Sequence, residues 1–514
     1  VGMCEHTLAV ATAAVFLRDI PLPPLNTGLG PDISIGLTYN HRSTLSFPGM
    51  RDGWGLSVQQ VVVESPTYNG QGATLTIRSG DGSAETFAYN ATQSAYVSSS
   101  DKYRRMGCYT DTGTNLRWCE IEHGDGSRDR YTQRQYCGGD YYCYLSHRFD
   151  PKGHAVTVSY DSSHRVTGVV SAANQGFTFR YHVTTGLLTS ISDPYAVLNQ
   201  NGTWTRTATF NYATVTDGSH SAYVLDRITD TAGFISSFGY GYSSGYQTFF
   251  IEDLYTPYKR ISFDLNETGN ARDLTAYHYD VNNQGGGYIA RERVYAPHET
   301  PAYFSSDPYP PAGTGYANSG LQYRNSFYWN TSTSEQCGIV SLDCATVYHF
   351  LKRSPDIRTT VLESLRRPDV TSYGVRTWFK YEGQSSGLWI GSSNRPTAWT
   401  TVHDADGDDP GTALDEASWA QTYHAHSGNI TSTTDPLGRV TTYEYAEPSG
   451  IDLKAIKING LYVYEAGYDY INGPPHTPVW VRHGSRPRID LQYDSYMQLQ
   501  TASYPELVNG QTVT

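Results

Sequence analysis

The chain has 514 residues, and 37 Lys and Arg against 50 Asp and Glu give it a formal net charge of −13. This acidic balance argues against a surface that binds nucleic-acid phosphates, because such surfaces are basic. Aromatic residues make up 13% of the chain, which includes 43 Tyr and 49 Gly. That composition favours strands and tight turns and excludes a largely disordered chain. No apolar run reaches the ~18 residues that a membrane-spanning helix needs.

The amino-terminal region contains an apolar run, Leu8–Leu17. It has the apolarity of a secretion signal, but it lacks a basic flank and Asp19 follows closely. We therefore expect a buried strand here, with a retained signal segment as the alternative.

Seven cysteines occur, and six of them fall in close pairs along the chain. The pairs are Cys108 with Cys119, Cys137 with Cys143, and Cys337 with Cys344. Spacings this short suit disulfides that close one hairpin or loop, and such bonds indicate an oxidising, extracytoplasmic location. Unpaired thiols are an alternative, as is zinc with His123 and His147, although zinc sites usually show shorter C-x-x-C spacings. Cys4 is left over, either free or bonded to another chain.

Hairpin and glycosylation signals also occur along the chain. Residues 80–83 and 124–127 both read GDGS between alternating strands, and Asp-Gly there is a strong hairpin signal. N-x-[ST] sequons, which are compatible with a secreted glycoprotein, occur at Asn90, Asn201, Asn266, Asn330 and Asn429. The Gly- and Pro-rich segment 281–320 is predicted to be a long loop, and Ala413–Tyr423 a short helix.

Three segments repeat the spacing Asp-x2-Gly-x6-Tyr without gaps. The repeated residues are Asp150, Gly153 and Tyr160; Asp230, Gly233 and Tyr240; and Asp435, Gly438 and Tyr445. Asp can bond its own following backbone and Gly accepts positive φ, so the first half predicts a turn. The second half alternates as a strand does. Since Tyr160-Asp161 and Tyr493-Asp494 precede another turn and strand, each unit is predicted to be a hairpin in one antiparallel sheet.

Two patterns could carry chemistry. Gly241-Tyr-Ser243-Ser-Gly245 fits the nucleophile elbow of hydrolases, but a strand rather than a helix is predicted after it, which favours a hairpin loop. Asp404, Asp406 and Asp408 alternate in HDADGDDPG, so they could ligate calcium or form a solvated acidic loop. We expect no other cofactor.

Three tryptophans, Trp378, Trp389 and Trp399, lie close together in the sequence. Exposed aromatic rings can stack on sugars, whereas most aromatic residues in a repeat sheet pack across strands. Both interpretations are open at this point.

Tyr-Asp turns linked to Asp-Pro-x-Gly-Arg turns resemble the RHS/YD-repeat family, most closely at residues 428–445 (GNITSTTDPLGRVTTYEY). Asp19-Ile-Pro, Gly30-Pro, Tyr39-Asn-His-Arg and Gly53-Trp resemble a block that precedes the repeats in large bacterial RHS proteins. Segments 321–329 (LQYRNSFYW) and 390–396 (IGSSNRP) are similar to the same subgroup. The resemblance is weak over 246–318, and the Cys-bearing segment 104–144 looks like an elaboration specific to this lineage.

The resemblance implies an all-β fold in which a continuous curved antiparallel sheet of hairpin repeats forms part or all of a hollow shell. Such shells occur in toxin-complex subunits, bacterial secreted toxins and teneurins. We expect an N-terminal β block over 1–60, hairpins with the disulfide-bearing insertion over 61–148, and the repeat sheet over 149–514 with its loop at about 281–320. The family's self-cleaving core matches no segment, so autoproteolysis is not carried over.

The expected function is structural, namely an extracellular or cell-surface shell or assembly subunit for encapsulation or scaffolding, without catalysis. A secreted carbohydrate-binding adhesin is the first alternative, and a β-rich polysaccharide-active enzyme is the second. Expected partners are other protein chains or a downstream segment of the same polypeptide, with glycans as a further candidate. A turn is predicted at 508–510, and the strand after it, over 511–514, is shorter than the family pattern. We expect this terminal strand to pair with another chain or with downstream sequence; pairing with another chain would give a filament or shell assembly.

Overall fold

The computed structural model shows a chain built almost entirely of strands. The structure describes residues 2–43, 45–51, 53–65, 74–110, 112–113, 117–137, 140–200, 202, 204–243, 247–268, 271–280, 287–297, 321–354, 357–368, 375–402, 416–473, 475–504, 506–508 and 511–513.

The first four strands form a separate antiparallel sheet, called here the N-terminal sheet. They are β1 (Gly2–Ala9), β2 (Ala14–Ile20), β3 (Leu37–Asn40) and β4 (Trp54–Leu56). The apolar run Leu8–Leu17 is buried as predicted at Leu8, Val15 and Leu17, but it is not a single strand. A turn with Ala13 at φ 48° splits it between β1 and β2, because both strands present apolar residues to the same core.

The next eight strands form a closed ring, in which the last strand pairs with the first. They are β5 (Gln60–Ser65), β6 (Thr74–Ser79), β7 (Ala84–Asn90), β8 (Ala95–Ser98), β9 (Arg105–Thr110), β10 (Arg117–Glu122), β11 (Arg128–Cys137) and β12 (Asp140–Phe149). One edge of β12 pairs with β5 over residues 141–144 and with the following strand over 147–149. The ring therefore forms the start of a 32-stranded antiparallel sheet that runs in chain order.

The middle of this repeat sheet contains sixteen strands. They are β13 (Ala155–Tyr160), β14 (Val166–Val170), β15 (Gly176–Tyr181), β16 (Leu188–Ser192), β17 (Thr207–Asp217), β18 (His220–Thr229), β19 (Ile235–Ser243), β20 (Thr248–Tyr255), β21 (Lys259–Thr268), β22 (Ala271–Asp280), β23 (Ala290–Ala296), β24 (Asn325–Trp329), β25 (Thr346–Ser354), β26 (Ile357–Arg367), β27 (Val375–Tyr381) and β28 (Pro396–Val402).

Strand β23 lies inside the segment 281–320, so the prediction of one long loop there is wrong for residues 290–296. Glu292, Val294 and Ala296 are buried in alternation. Because Glu292 itself and its neighbours are charged, the alternation of apolar and polar residues that marks a strand is not visible in the sequence. A short helix that the sequence did not suggest, α1 (Thr331–Cys337), follows β24 and is capped by the Asn330 side chain. Within the described residues, no helix is both long and apolar enough to cross a membrane.

The last part of the repeat sheet contains eight strands, and a separate hairpin follows it. The strands are β29 (Glu416–Tyr423), β30 (Ile430–Thr434), β31 (Val440–Tyr445), β32 (Leu453–Ile458), β33 (Leu461–Tyr468), β34 (Pro478–Arg482), β35 (Ile489–Tyr493) and β36 (Leu499–Ser503), and the hairpin pairs β37 (Glu506–Val508) with β38 (Gln511–Val513). The predicted helix over Ala413–Tyr423 is wrong from Glu416 onward. That stretch pairs with β28 and β30, and tertiary pairing outweighs its local helix propensity.

The N-terminal sheet lies against the repeat sheet and supplies much of its core. Leu17, Leu37 and Trp54 belong to one buried apolar cluster with side chains from β13 to β23. Hydrogen bonds cross the same boundary: the Cys4 N–H donates to Ser236 Oγ at 3.2 Å, and Trp54 Nε1–H donates to Tyr240 Oη at 3.2 Å. The part of the sheet from β13 to β23 is therefore covered on one face.

The last quarter of the repeat sheet, β29 to β36, is a single layer. Beyond Val402, the only buried apolar side chains among the described residues are Ala455 and Ala466. Leu437 and Leu461 on this part of the sheet are 78% and 75% exposed. Its stability cannot come from a second packed layer, so it must come from contacts within the sheet.

The curved sheet returns to meet its own earlier strands. Asp101 pairs with Arg395 at 2.9 Å, the Asn429 amide donates to the Gly124 carbonyl at 2.5 Å, and Lys152 Nζ donates to the Met497 carbonyl at 2.7 Å. These contacts join residues 294, 305 and 345 positions apart, in the same order along both segments. The sheet therefore curves until its later segments meet its earlier ones, and these contacts hold the two parts together.

Candidate functional site

The three predicted glycine turns have one geometry. Gly153, Gly233 and Gly438 have φ values of 92°, 88° and 74°. Each Gly N–H donates to the carbonyl of the Asp three positions earlier, at 3.0, 3.1 and 2.9 Å. A Cβ added at any of the three would meet no atom within 4 Å. The positive φ, and not a lack of space, therefore favours glycine here.

The aspartate of each turn organises the backbone that follows it. Asp230 Oδ1 accepts the N–H groups of Ala232 and Phe234, both at 2.8 Å. Asp161, which follows a tyrosine, makes the same bonds with Ser163 and Arg165, at 2.9 and 3.0 Å. The Tyr-Asp turn and the Asp-x2-Gly turn are thus one structure, built on an aspartate.

The tyrosines make a second repeated contact, in which the hydroxyl donates to a backbone carbonyl 15 residues earlier. The pairs are Tyr160 to Leu145 (2.7 Å), Tyr181 to Val166 (2.7 Å), Tyr240 to Leu225 (2.7 Å), Tyr445 to Ile430 (2.8 Å), Tyr468 to Leu453 (3.0 Å) and Tyr493 to Pro478 (2.7 Å). Tyr381 and Tyr423 make the same kind of bond over longer connections, at 2.7 Å. Sequence reasoning did not assign Tyr181 and Tyr468 to this set, because neither follows an Asp-x2-Gly turn.

Each of these tyrosines lies at a β-bulge. The register between β13 and β14 shifts between Ser159 and Tyr160, and the same shift immediately precedes Tyr181, Tyr240, Tyr445, Tyr468 and Tyr493. On the other side of the tyrosine strand the backbone ladder stops, for example at His147 opposite Thr157. The hydroxyl of Tyr160 then bonds the Leu145 carbonyl, which lies beyond the end of that ladder. The side chain thus satisfies a backbone acceptor where the two strands separate.

These hydroxyls remain hydrogen-bond donors at any ordinary pH. Burial raises the pKa of Tyr160, Tyr181 and Tyr468 well above the usual value for a phenol. A regular series of bulges also bends and twists each bulged strand. The tyrosine contact therefore accompanies a bend of the strand at each of these bulges.

The comparisons with known proteins agree with this repeated geometry at one unit of the sheet. The RHS Repeat family model matches residues 426–449, which include the Asp435 turn and Tyr445. Residues 426–449 are therefore similar to one RHS repeat. No significant match is found among curated proteins.

Solved structures with some likeness to this chain include toxin assemblies and an effector domain. A TcdB2-TccC3-Cdc42 crystal structure covers 96% of this chain at 10% identity and a TM-score of 0.36, and a TcdB2-TccC3 structure covers 92% at 12% identity and 0.24. The N-terminal domain of SpvB from Salmonella typhimurium strain LT2 covers 51% at 11% identity and 0.20, and 98% of that domain is matched. The chain spans about a quarter of the length of these two TcdB2-TccC3 chains, 24% and 25%.

Two of the three predicted cysteine pairs are disulfides in the structure. Cys108 lies directly opposite Cys119 on adjacent strands, with Cα atoms 4.1 Å apart, and Cys337 is bonded to Cys344 after α1. The Cys137 side chain lies outside the described residues, so its bond to Cys143 stays a prediction. In the backbone register Cys143 faces Arg134 and not Cys137. Cys4 is buried, so a bond to another chain is not available to it in this fold.

The sequons differ in their surroundings. Asn90, Asn266 and Asn330 are exposed, and Asn201 lies outside the described residues. The Asn429 amide nitrogen donates to the carbonyls of both Gly124 and Gly450, at 2.5 and 2.7 Å. A glycan on that nitrogen would break the contact between two parts of the wound sheet, so we do not expect Asn429 to be modified.

The other predicted candidates do not come together in one site. Ser243 ends β19, and the next described element is β20, so the pattern joins two strands. Asp404, Asp406 and Asp408 lie outside the described residues, and calcium binding there stays a prediction. Trp378 is fully buried, which makes it unavailable to a sugar, and Trp399 stacks on Trp419 with ring centroids 5.9 Å apart.

Sequence reasoning also missed a buried charge cluster. Glu363 Oε2 lies 3.0 Å from both His349 Nε2 and an Arg324 guanidinium nitrogen, and all three side chains are almost completely buried. Burial lowers the pKa of His349, although the neighbouring Glu363 carboxylate opposes this shift. Because these residues are far apart in the chain, no sequence spacing connects them.

We predict that the tyrosine bond stabilises each repeat. Tyr160→Phe leaves the Leu145 carbonyl without its partner where the strands separate, so the free energy of unfolding should fall by about 1–2 kcal/mol. Tyr89→Phe is the matched control, because Tyr89 is 53% exposed, and it should change stability by less than about 0.5 kcal/mol. Urea unfolding of both variants measures the difference, and equal stability would contradict the role assigned to the bond.

A second prediction concerns pH. Although burial opposes it, hydrogen bonds from Arg165 and from the Ser163 N–H hold the pKa of Asp161 below its usual range. A depressed carboxyl pKa stabilises the fold above the unfolded pKa of about 3.9, and this contribution is lost as pH falls through the folded value. Asp161→Asn should therefore cost roughly 0.5–1 kcal/mol at pH 7, with the difference from wild type shrinking below about pH 4.

The control for the pH experiment is Asp32→Asn, which changes an exposed aspartate. Urea unfolding of the three proteins between pH 7 and pH 3 gives the comparison. A cost of Asp161→Asn that stays constant over this range would show that the charge of Asp161 does not contribute.

Proposed function

We propose that this chain is an RHS-repeat protein and forms a wall of a hollow protein shell that serves in encapsulation or as a scaffold. The observation that carries the proposal is a curved sheet that contacts its own earlier strands and whose last quarter is only one layer thick. The chain exposes 25550 Å², against about 19,000 Å² expected for a compact monomer of 57.0 kDa. A thin wall with two accessible faces accounts for this excess.

We place the protein outside the cell or at the cell surface. The cross-strand bond between Cys108 and Cys119 and the loop bond between Cys337 and Cys344 support this location, because such bonds persist in oxidising compartments. The exposed sequons at Asn90, Asn266 and Asn330 are compatible with it.

A structural role, without catalysis of its own, accounts best for how the polar side chains are used. Asp161 and Asp230 hold turns, Asn429 joins two parts of the sheet, and Glu363 belongs to a buried ion cluster. Each of these groups stabilises the wall. The burial of Trp378 weakens the carbohydrate-binding alternative, which has no other specific support in the structure.

The partner we propose is another protein chain or a further length of the same polypeptide. Two of the structures with some likeness to this chain are of TcdB2-TccC3, and this chain spans about a quarter of each of those chains. The exposed apolar side chains of Leu437, Leu461 and Ile471 on the single-layer part are compatible with such contacts.

Small-angle X-ray scattering of the purified chain tests the shell. A compact globule of this length has a radius of gyration of about 24 Å. A wall around a space should give a clearly larger radius and a pair-distance distribution shifted toward long distances. A compact, folded protein of equal mass measured alongside is the control. A monomer with the radius of a compact globule would overturn the proposal.

A further inference from the structure

Three side chains that commonly bind metal ions meet where the N-terminal sheet contacts the repeat sheet. His6 is on β1, His278 on β22 and Glu292 on β23. Glu292 Oε1 lies 2.5 Å from His6 Nε2 and 3.2 Å from His278 Nε2. One ligand atom from each residue lies within 4.8 Å of the others. We propose that these three residues bind a divalent transition-metal ion, zinc by preference, that joins the two sheets.

The site exists only in the folded chain. His278 and Glu292 are brought together by the pairing of β22 with β23, in which Glu292 faces Ala276 and His278 faces Ala290. His6 comes from a segment 286 residues earlier than Glu292. A metal bound here would therefore cross-link the first strand to the wall and would bind the unfolded chain far more weakly.

The donor set suits zinc. Two imidazole nitrogens and one carboxylate oxygen form a known zinc triad, with water in the fourth position. A tetrahedral ion with bonds of about 2.0–2.1 Å places its ligand atoms about 3.3 Å apart. The His278–Glu292 distance of 3.2 Å already fits, and the His6–Glu292 distance has to widen by about 0.8 Å.

The surroundings prepare these groups as ligands. The Tyr328 hydroxyl donates to Glu292 Oε2 at 2.8 Å, which orients the carboxylate and leaves Oε1 toward the two histidines. His6 Nδ1 is buried and has no hydrogen-bond partner in the described part of the chain, so the polar contacts of this ring are made by Nε2.

A cluster held by hydrogen bonds alone would also lose stability when one member is replaced. The deciding experiment is therefore direct metal binding to the intact 514-residue chain after removal of bound metal with a chelator. Zinc is titrated in competition with a chromogenic chelator, and cobalt(II) reports geometry through its visible spectrum. We expect one tight site per chain and a tetrahedral cobalt spectrum.

The variants are His278→Gln and Glu292→Gln, which should each weaken zinc binding by at least about 100-fold, and Tyr328→Phe, which should weaken it by about 10–100-fold. His476→Gln is the matched control, because His476 pairs with Asp452 at 3.0 Å elsewhere in the sheet. It should leave zinc affinity unchanged.

The absence of a tight site in the wild-type chain would overturn the proposal. Tight binding that survives both His278→Gln and Glu292→Gln would also overturn it. Should these variants fail to fold, X-ray absorption at the zinc edge of the wild-type chain decides, because a first shell of two imidazoles and oxygen is expected. A shell containing sulfur, or oxygen alone, would contradict the site.

Discussion

The bond from a tyrosine hydroxyl to a carbonyl 15 residues earlier is the contact on which the repeat sheet depends. A sheet that curves continuously must let neighbouring strands separate at regular intervals, and each separation leaves a backbone acceptor without its ladder partner. In this chain the bulge before the tyrosine separates the strands, and the tyrosine satisfies the acceptor. The aspartate of the adjoining turn fixes the direction in which the chain returns. Tyrosine and aspartate thus provide both the conformation that lets the sheet curve and the hydrogen bonds that its backbone needs.

The two parts of the sheet show how far these local contacts suffice. From β13 to β23 the N-terminal sheet covers one face and provides a shared apolar core. From β29 onward the sheet continues as a single layer with the same turns and the same tyrosine bonds. The turn and tyrosine hydrogen bonds thus stabilise the sheet where no apolar core is present. A wall built in this way can enclose space, because its units do not require a second layer.

Sequence reasoning identified the parts of the fold that repeat at fixed spacing. The turn and strand formed by Asp435, Gly438 and Tyr445 could be predicted, because turn preferences and strand alternation depend on residues within about a dozen positions of one another. The bond made by Tyr181 could not be predicted, since its turn has a different sequence and a β-bulge has no recognisable amino-acid pattern. The strand around Glu292 was hidden by its charges, and the contact between His6 and Glu292 joins distant segments that only the wound sheet brings together. Long-range pairing likewise decided the conformation of β29 against local helix propensity.

Native-state hydrogen exchange, followed by mass spectrometry, tests the central claim most directly. If the tyrosine bond and the aspartate turn stabilise each unit locally, amides in β30–β36 should open in separate steps at lower free energy than those in β17–β23, which share a core with the N-terminal sheet. Tyr445→Phe should then speed exchange in β30 and β31 and leave β17–β23 unchanged. Exchange of the whole sheet in one cooperative step, with Tyr445→Phe affecting all strands equally, would contradict the account.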